Sequence, residues 1–185
     1  MAYLNEHKAK FENLTVSLDI KNRDYLRRKA NGGNSIIFSY RPEDEHLYLE
    51  EAKKLLTPDQ FLLIDIAQLL VEFIDMDGWE SFESYYKDFR QTTHVIFNAK
   101  NGEEDLMKLI IQEILQADQQ GLIPLLIRTG ALYGTGIENV NIMEHKDVIS
   151  LSHPLVIFYP SKIKDDNLYF LNFSSYKIII FIIHI

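Results

Sequence analysis

The residues that could do chemistry are few and widely spaced. Glu43, Asp44 and Glu45 form one acid cluster directly after Arg41 and Pro42. Neighbouring carboxylates are the raw material for acid–base catalysis or for a magnesium site. The same residues also stand where a helix start favours them. Proline suits the first helical position, and acids suit the positive end of the helix dipole; the helix-start reading is preferred. Arg41 and Arg128 each follow an apolar run. Two arginines so placed could form one anion- or partner-binding face, or two separate local ion pairs. The six histidines are His7, His46, His94, His145, His153 and His184. None stands in HExxH or another close metal pairing, so no metal is expected. No serine sits in a GxSxG elbow to anchor a hydrolase triad. With no cysteine in the chain, disulfides, thiolate metal sites and cysteine nucleophiles are excluded.

Phosphate binding is the next chemistry to test. The loop GxxxxGK[ST], which cradles phosphates in backbone amides, is absent. Gly130, Gly134 and Gly136 follow an apolar run, but their spacing fits neither the phosphate-loop nor the dinucleotide pattern. Asn31-Gly32-Gly33-Asn34 precedes its run, on the wrong side for a phosphate. A plain connection is preferred at both places. Lys21 to Lys29 holds five cations and one acid, Asp24, with Tyr25 among them. Such a stretch could touch a phosphate backbone. It more simply forms one solvated helix face.

The elements that must position these groups are announced by three apolar runs: Ser35–Tyr40, Leu122–Thr129 and His153–Pro160. None alternates with polar residues, so each reads as a strand covered on both faces. This predicts an α/β fold: a mainly parallel central sheet flanked by helices on both faces, with a C-terminal hairpin. Ligands and partners of such sheets meet the carboxyl ends of the strands. The candidate face is therefore Arg41 to Glu45, Gly130 to Gly134, and Ser161-Lys162.

Between the runs, residues 3–16 read as an amphipathic helix, and a second helix runs from Pro42 to Pro58. Phe61–Ile64 is a strand, and Asp65 with Gln68 forms a capping box ahead of Ile66, Leu69, Leu70, Phe73 and Ile74. Trp79, Phe82, Tyr86 and Phe89 make a further helical stripe after Gly78. Residues 92–98 fit either a strand or a helix, and Asn101-Gly102 is a turn. Glu103 to Ala117 is the clearest helix, with Leu106, Leu109, Ile110 and Ile114 inward. Residues 137–147 carry a weaker helical pattern. Asp165-Asp166-Asn167 turns the chain into Leu168–Leu171, a hairpin partner. The run Ile178–Ile185 reads either as a buried terminal strand or as an out-of-frame or truncated end.

At 185 residues the chain is expected to be one domain, 1–185, with 173–185 an atypical tail. A formal net charge of −8 argues against a general nucleic-acid coat. No segment reads as a targeting signal, and none has the roughly 18 apolar residues of a membrane span. A cytoplasmic location is expected.

Three blocks resemble the BrxB family of bacteriophage-exclusion (BREX) defence systems. Ser35–Leu55, SIIFSYRPEDEHLYLEEAKKL, is similar to the family's apolar strand, Tyr-x-Pro and acidic helix start. Leu122–Glu144 resembles its strand, small-residue turn and following helix. His153–Phe173 is similar to its Phe-Tyr-Pro strand and hairpin. Residues 174–185 depart from the mixed, partly charged closing strand expected of the family. The resemblance implies a non-catalytic subunit with no cofactor. Its implied partners are the phosphatase-like PglZ component, with the ATPase and the methyltransferase nearby. Tyr40, Arg41, Glu43, Arg128, Tyr133 and Tyr159, all near predicted strand ends, are the candidate partner-binding residues, since tyrosine and arginine are the usual interface anchors. The alternative is a nucleotide- or nucleic-acid-binding regulator on a degenerate P-loop-like scaffold. A third reading is an enzyme using Glu43 to Glu45 with a divalent metal.

Overall fold

The apolar runs pair side by side in the computed structural model, which describes residues 2–29, 32–97, 105–164, 167–170 and 174–176. Strands β1 (Ser35–Tyr40), β2 (Phe61–Asp65), β3 (Ile123–Ile127) and β4 (Leu155–Lys164) lie parallel in the order β2-β3-β4-β1. Side chains of each strand go alternately to two cores. On one face Ile36, Phe38, Val156 and Phe158 meet α1 (Ala2–Leu18) and α3 (Glu45–Leu55) through Phe11, Leu14, Tyr48 and Ala52. On the other, Ile37, Ile64, Leu126 and Ile157 meet α4 (Ile66–Asp77), α6 (Leu106–Gln119) and α8 (Lys146–Ile149). Both faces are covered, which is why the runs carry no polar alternation. The fold is α/β, as predicted.

The change of face has a topological cause. The connection from β1 to β2 crosses the sheet in one direction, and those from β2 to β3 to β4 return. Crossovers of one hand that run in opposite directions put their helices on opposite faces. Accordingly α3 covers one face, while α4, α6, α7 (Asn139–Met143) and α8 contribute to the core on the other. Helix α5 (Trp79–Phe89) reaches that second core with half-buried Phe82 and Phe89, and α2 (Arg23–Lys29) follows α1.

β4 has a second job. Leu155 to Pro160 pairs with β1, and Ser161 to Lys164 pairs antiparallel with β5 (Asn167–Phe170), which in turn pairs with β6 (Ser174–Tyr176). The hairpin is present, but Ser161 and Lys162 lie inside β4 and not past its end. His153 falls outside the strand.

Several local expectations change. Pro42 opens a short 3-10 turn, Pro42–Asp44, and α3 begins only at Glu45. Asp65 caps α4 by accepting from the amides of Ala67 and Gln68. The Gln68 side chain does not reciprocate; it donates to Glu72 at 2.9 Å. Residues 93–95 form a 3-10 turn, neither strand nor α-helix. Leu106, Ile110 and Ile114 are buried as expected, but Leu109 is only half-buried. The expected turns at Asn101-Gly102 and Asp165-Asp166, and the run Ile178–Ile185, lie outside the described residues.

Candidate functional site

The carboxyl ends of β2, β3 and β1 bring most of the candidate residues to one end of the sheet, each tied to a neighbour. The Tyr40 hydroxyl donates to Glu45 Oε1 at 2.7 Å, and its ring stacks on Tyr48 with centroids 5.1 Å apart. Burial first, then the charge and hydrogen bond of Glu45, push the Tyr40 phenol far above its ordinary range. Arg41 Nε donates to Asp44 Oδ2 at 2.8 Å, and Asp44 is buried. Glu43 Oε1 lies 3.4 Å from Lys162 Nζ. Its carboxyl is held below the usual range, first by its own backbone amide and then, against desolvation, by Lys162.

The acid cluster therefore diverges. Glu43 turns to Lys162, Asp44 to Arg41 and Glu45 to Tyr40. Among the described residues, no group of three His, Asp or Glu side chains converges as a metal site.

On the β3 side, Arg128 adopts a left-handed conformation, φ 53° and ψ 37°. This turns its guanidinium onto Asp65, where Nε donates to Oδ1 at 2.7 Å and Nη2 contacts Oδ2. Such a two-point contact is specific to arginine. It raises the Arg128 pKa, first through the Asp65 hydrogen bond and then through the charges of Asp65 and Glu45. Asp65 thus serves both the α4 cap and the arginine. Arg41 and Arg128 therefore each hold a local ion pair, and both keep exposed surface.

Two candidates are corrected. Tyr40 and Tyr159 are 1% and 6% exposed. They point to opposite faces of the sheet, Tyr40 into the core under α3 and Tyr159 into the core under α4 and α6. They are packing residues, because successive strand positions alternate between two covered faces. Tyr133 is 66% exposed on the loop after β3. Arg41, Glu43, Arg128 and Tyr133 are the candidates with solvent-facing surface. In the basic stretch Lys21, Asp24, Tyr25 and Arg28 are exposed, as a solvated face requires, but Arg27 is half-buried, and its Nη2 donates to the Leu151 carbonyl at 3.3 Å.

Sequence reasoning placed Ser161 on the candidate face but missed Thr129, Ser39 and Lys10, which lock this end together with it. Thr129 is fully buried and donates from Oγ1 to the Phe158 carbonyl at 2.7 Å. Ser39 and Ser161 share a hydroxyl contact of 2.9 Å between β1 and β4. The Lys10 ammonium donates to the Ser39 carbonyl at 3.2 Å. The only signal in the sequence was a small hydroxyl residue inside or beside an apolar run.

Gly134 and Gly136 have positive φ and shape the loop after β3, whose Gly134 carbonyl accepts from Thr93 Oγ1 at 2.7 Å. Among the described residues, no helix is long and apolar enough to cross a membrane. No protein-family model, curated protein or solved structure matches the chain.

Proposed function

We propose that this chain is a non-catalytic interaction subunit of a BREX-type anti-phage complex, docking the phosphatase-like PglZ component. The observation that carries this reading is the internal pairing of the strand-end charges. Arg41, Arg128, Glu43 and Glu45 each hold a partner within the chain. Such a face is preorganised, and preorganisation lowers the entropic cost of binding a macromolecule. Exposed Tyr133, with the outward surfaces of Arg41 and Arg128, offers the residue types that anchor protein interfaces. The three blocks similar to the BrxB family fall on β1 with α3, on β3 with the loop and α7, and on β4 with β5. They thus contain β1 and β3 of this end of the sheet, while β2, which brings Asp65 to Arg128, lies outside them.

The test is co-purification of the tagged chain with the phosphatase-like, ATPase and methyltransferase products of neighbouring genes. A stable complex with the phosphatase-like protein is expected at micromolar concentration, weakened by Tyr133→Ala together with Arg128→Ala. Absence of any complex, or binding of ATP or DNA by the isolated chain, would overturn the proposal.

A further inference from the structure

Helix α5 is unlike its neighbours. Its eleven residues include five aromatics: Trp79, Phe82, Tyr85, Tyr86 and Phe89. Not one residue of α5 is fully buried. Trp79, Phe82 and Tyr86 recur at helical spacing and form a ladder, with centroids 6.1 and 6.0 Å apart. Phe82 leans on Phe97 at the margin of the core, with centroids 6.1 Å apart. The ends of the ladder face outward: Trp79 is 61% exposed and Tyr86 43%. The helical stripe visible in the sequence is only half used by the core.

The charge around this ladder is one-sided. Between residues 72 and 90, Glu72, Asp75, Asp77, Glu80, Glu83 and Asp88 stand against one lysine and Arg90 at the C-cap of α5, and all six acids are exposed. That lysine, Lys87, lies 2.9 Å from Glu83. Exposed aromatic surface marks an interaction site, and its electrostatic surroundings select the partner. A second copy meeting this surface face to face would oppose like charges. Nucleic-acid phosphates and anionic lipid surfaces are repelled for the same reason.

We propose that the outer surface of α5, with Trp79 and Tyr86 as anchors, docks a cationic amphipathic segment of a partner protein. The apolar stripe of that segment covers the aromatic ladder, and its lysines or arginines meet the flanking carboxylates. The choice of a protein partner rests on the adaptor reading above, and none of the strand-end candidates lies on α5.

Trp79 is the only tryptophan of the chain, so its fluorescence reports on the site directly. The probe is a synthetic amphipathic helix of leucine and lysine, titrated into the whole protein at low salt. A saturable blue shift of Trp79 emission is expected. Glu80→Lys with Glu83→Lys should weaken binding by on the order of tenfold while circular dichroism shows an unchanged fold. Tyr86→Ala should weaken it without altering the salt dependence. No shift, or an equal shift from the leucine–glutamate counterpart, overturns the proposal. So does a blue shift produced by raising protein concentration alone, which would assign the surface to a second copy. Co-purification with the phosphatase-like protein tests the adaptor reading separately: a complex without peptide binding would sink only the α5 surface. Peptide binding without a complex would sink only the BREX assignment.

Discussion

Asn34 shows how one side chain can hold two distant parts of this chain. It is buried, and its Nδ2 donates toward the carbonyls of Val148, Leu151 and His153 at 3.4, 3.1 and 3.2 Å. Its backbone carbonyl accepts from the Leu155 amide at 2.9 Å. The amide therefore fastens the entry of β1 to the turn that launches β4. Asn34→Ala strands buried carbonyls and should cost about 1–3 kcal/mol in urea unfolding. Asn34→Asp should cost more at neutral pH, because a carboxylate only accepts and would face three other acceptors. Burial raises the carboxyl pKa of that variant. The added penalty is absent below about pH 4, where the group is protonated folded or unfolded, and grows as pH rises. An aspartate variant no less stable than the alanine variant at pH 7 would refute this account. Tyr40 gives the second residue-scale expectation. Its folded pKa is raised by burial and by Glu45, while an unfolded tyrosine ionises near pH 10. The stability it contributes is therefore complete below about pH 10 and falls above it. Tyr40→Phe should flatten the loss of stability between about pH 10 and 11, followed as the urea midpoint against pH. An unchanged slope would mean that Tyr40 ionises freely in the fold.

At the scale of elements, the turn after β3 depends on two glycines for different reasons. Gly134 has φ +86° and open space where a Cβ would stand. Gly136 has φ +80°, and a Cβ there would lie 2.4 Å from His94 Cβ. Gly134→Ala pays only the left-handed strain, about 1–2 kcal/mol. Gly136→Ala pays that strain and must also displace the 93–95 turn, so its thermal midpoint should fall well below that of Gly134→Ala. Equal midpoints would show that the turn gives way freely. This contact also marks the limit of what the sequence carries. The strands were legible because an unbroken apolar run has few other uses in a water-facing chain. The parallel arrangement followed from the absence of alternation. α6 was legible from the 3.6-residue recurrence of its apolar positions, and Asp65 from its place before α4. The pairing of Arg128 with Asp65 and of Gly136 with His94 joins residues tens of positions apart, and no local pattern encodes it. The tyrosines misled for a related reason. Tyr40 and Tyr159 end apolar runs and so resemble surface anchors, yet the pleat directs both into the two cores.

The whole molecule is organised around a strand that arrives late in the sequence. β4 alone pairs with β1 among the described residues, residue for residue from Ser35 with Leu155 to Tyr40 with Pro160. It also joins that pair to β3 through Leu125 with Val156 and Leu126 with Ile157. Without β4, β1 has no ladder, and Phe38 loses the ring of Phe158 on which it stacks, centroids 4.7 Å apart, from the centre of that core. Burial of a phenylalanine side chain is worth about 1.5–3 kcal/mol, and a domain holds only about 5–15 kcal/mol in reserve. Leu155, Val156, Ile157 and Phe158 are all fully buried, and losing the four together costs about 6–12 kcal/mol, comparable with the whole of that reserve. A chain ended after Ser152 should therefore show no cooperative unfolding by circular dichroism and poor dispersion of its amide resonances. A chain ended after Lys164 keeps every parallel pairing and, among the described residues, gives up β5 and β6 with their antiparallel ladders. It should unfold in a single transition at a lowered midpoint. Cooperative unfolding of the shorter chain would mean that β2, β3 and their helices form a stable unit alone. In that case the strand-end face, whose two halves β4 joins, would not be one rigid surface.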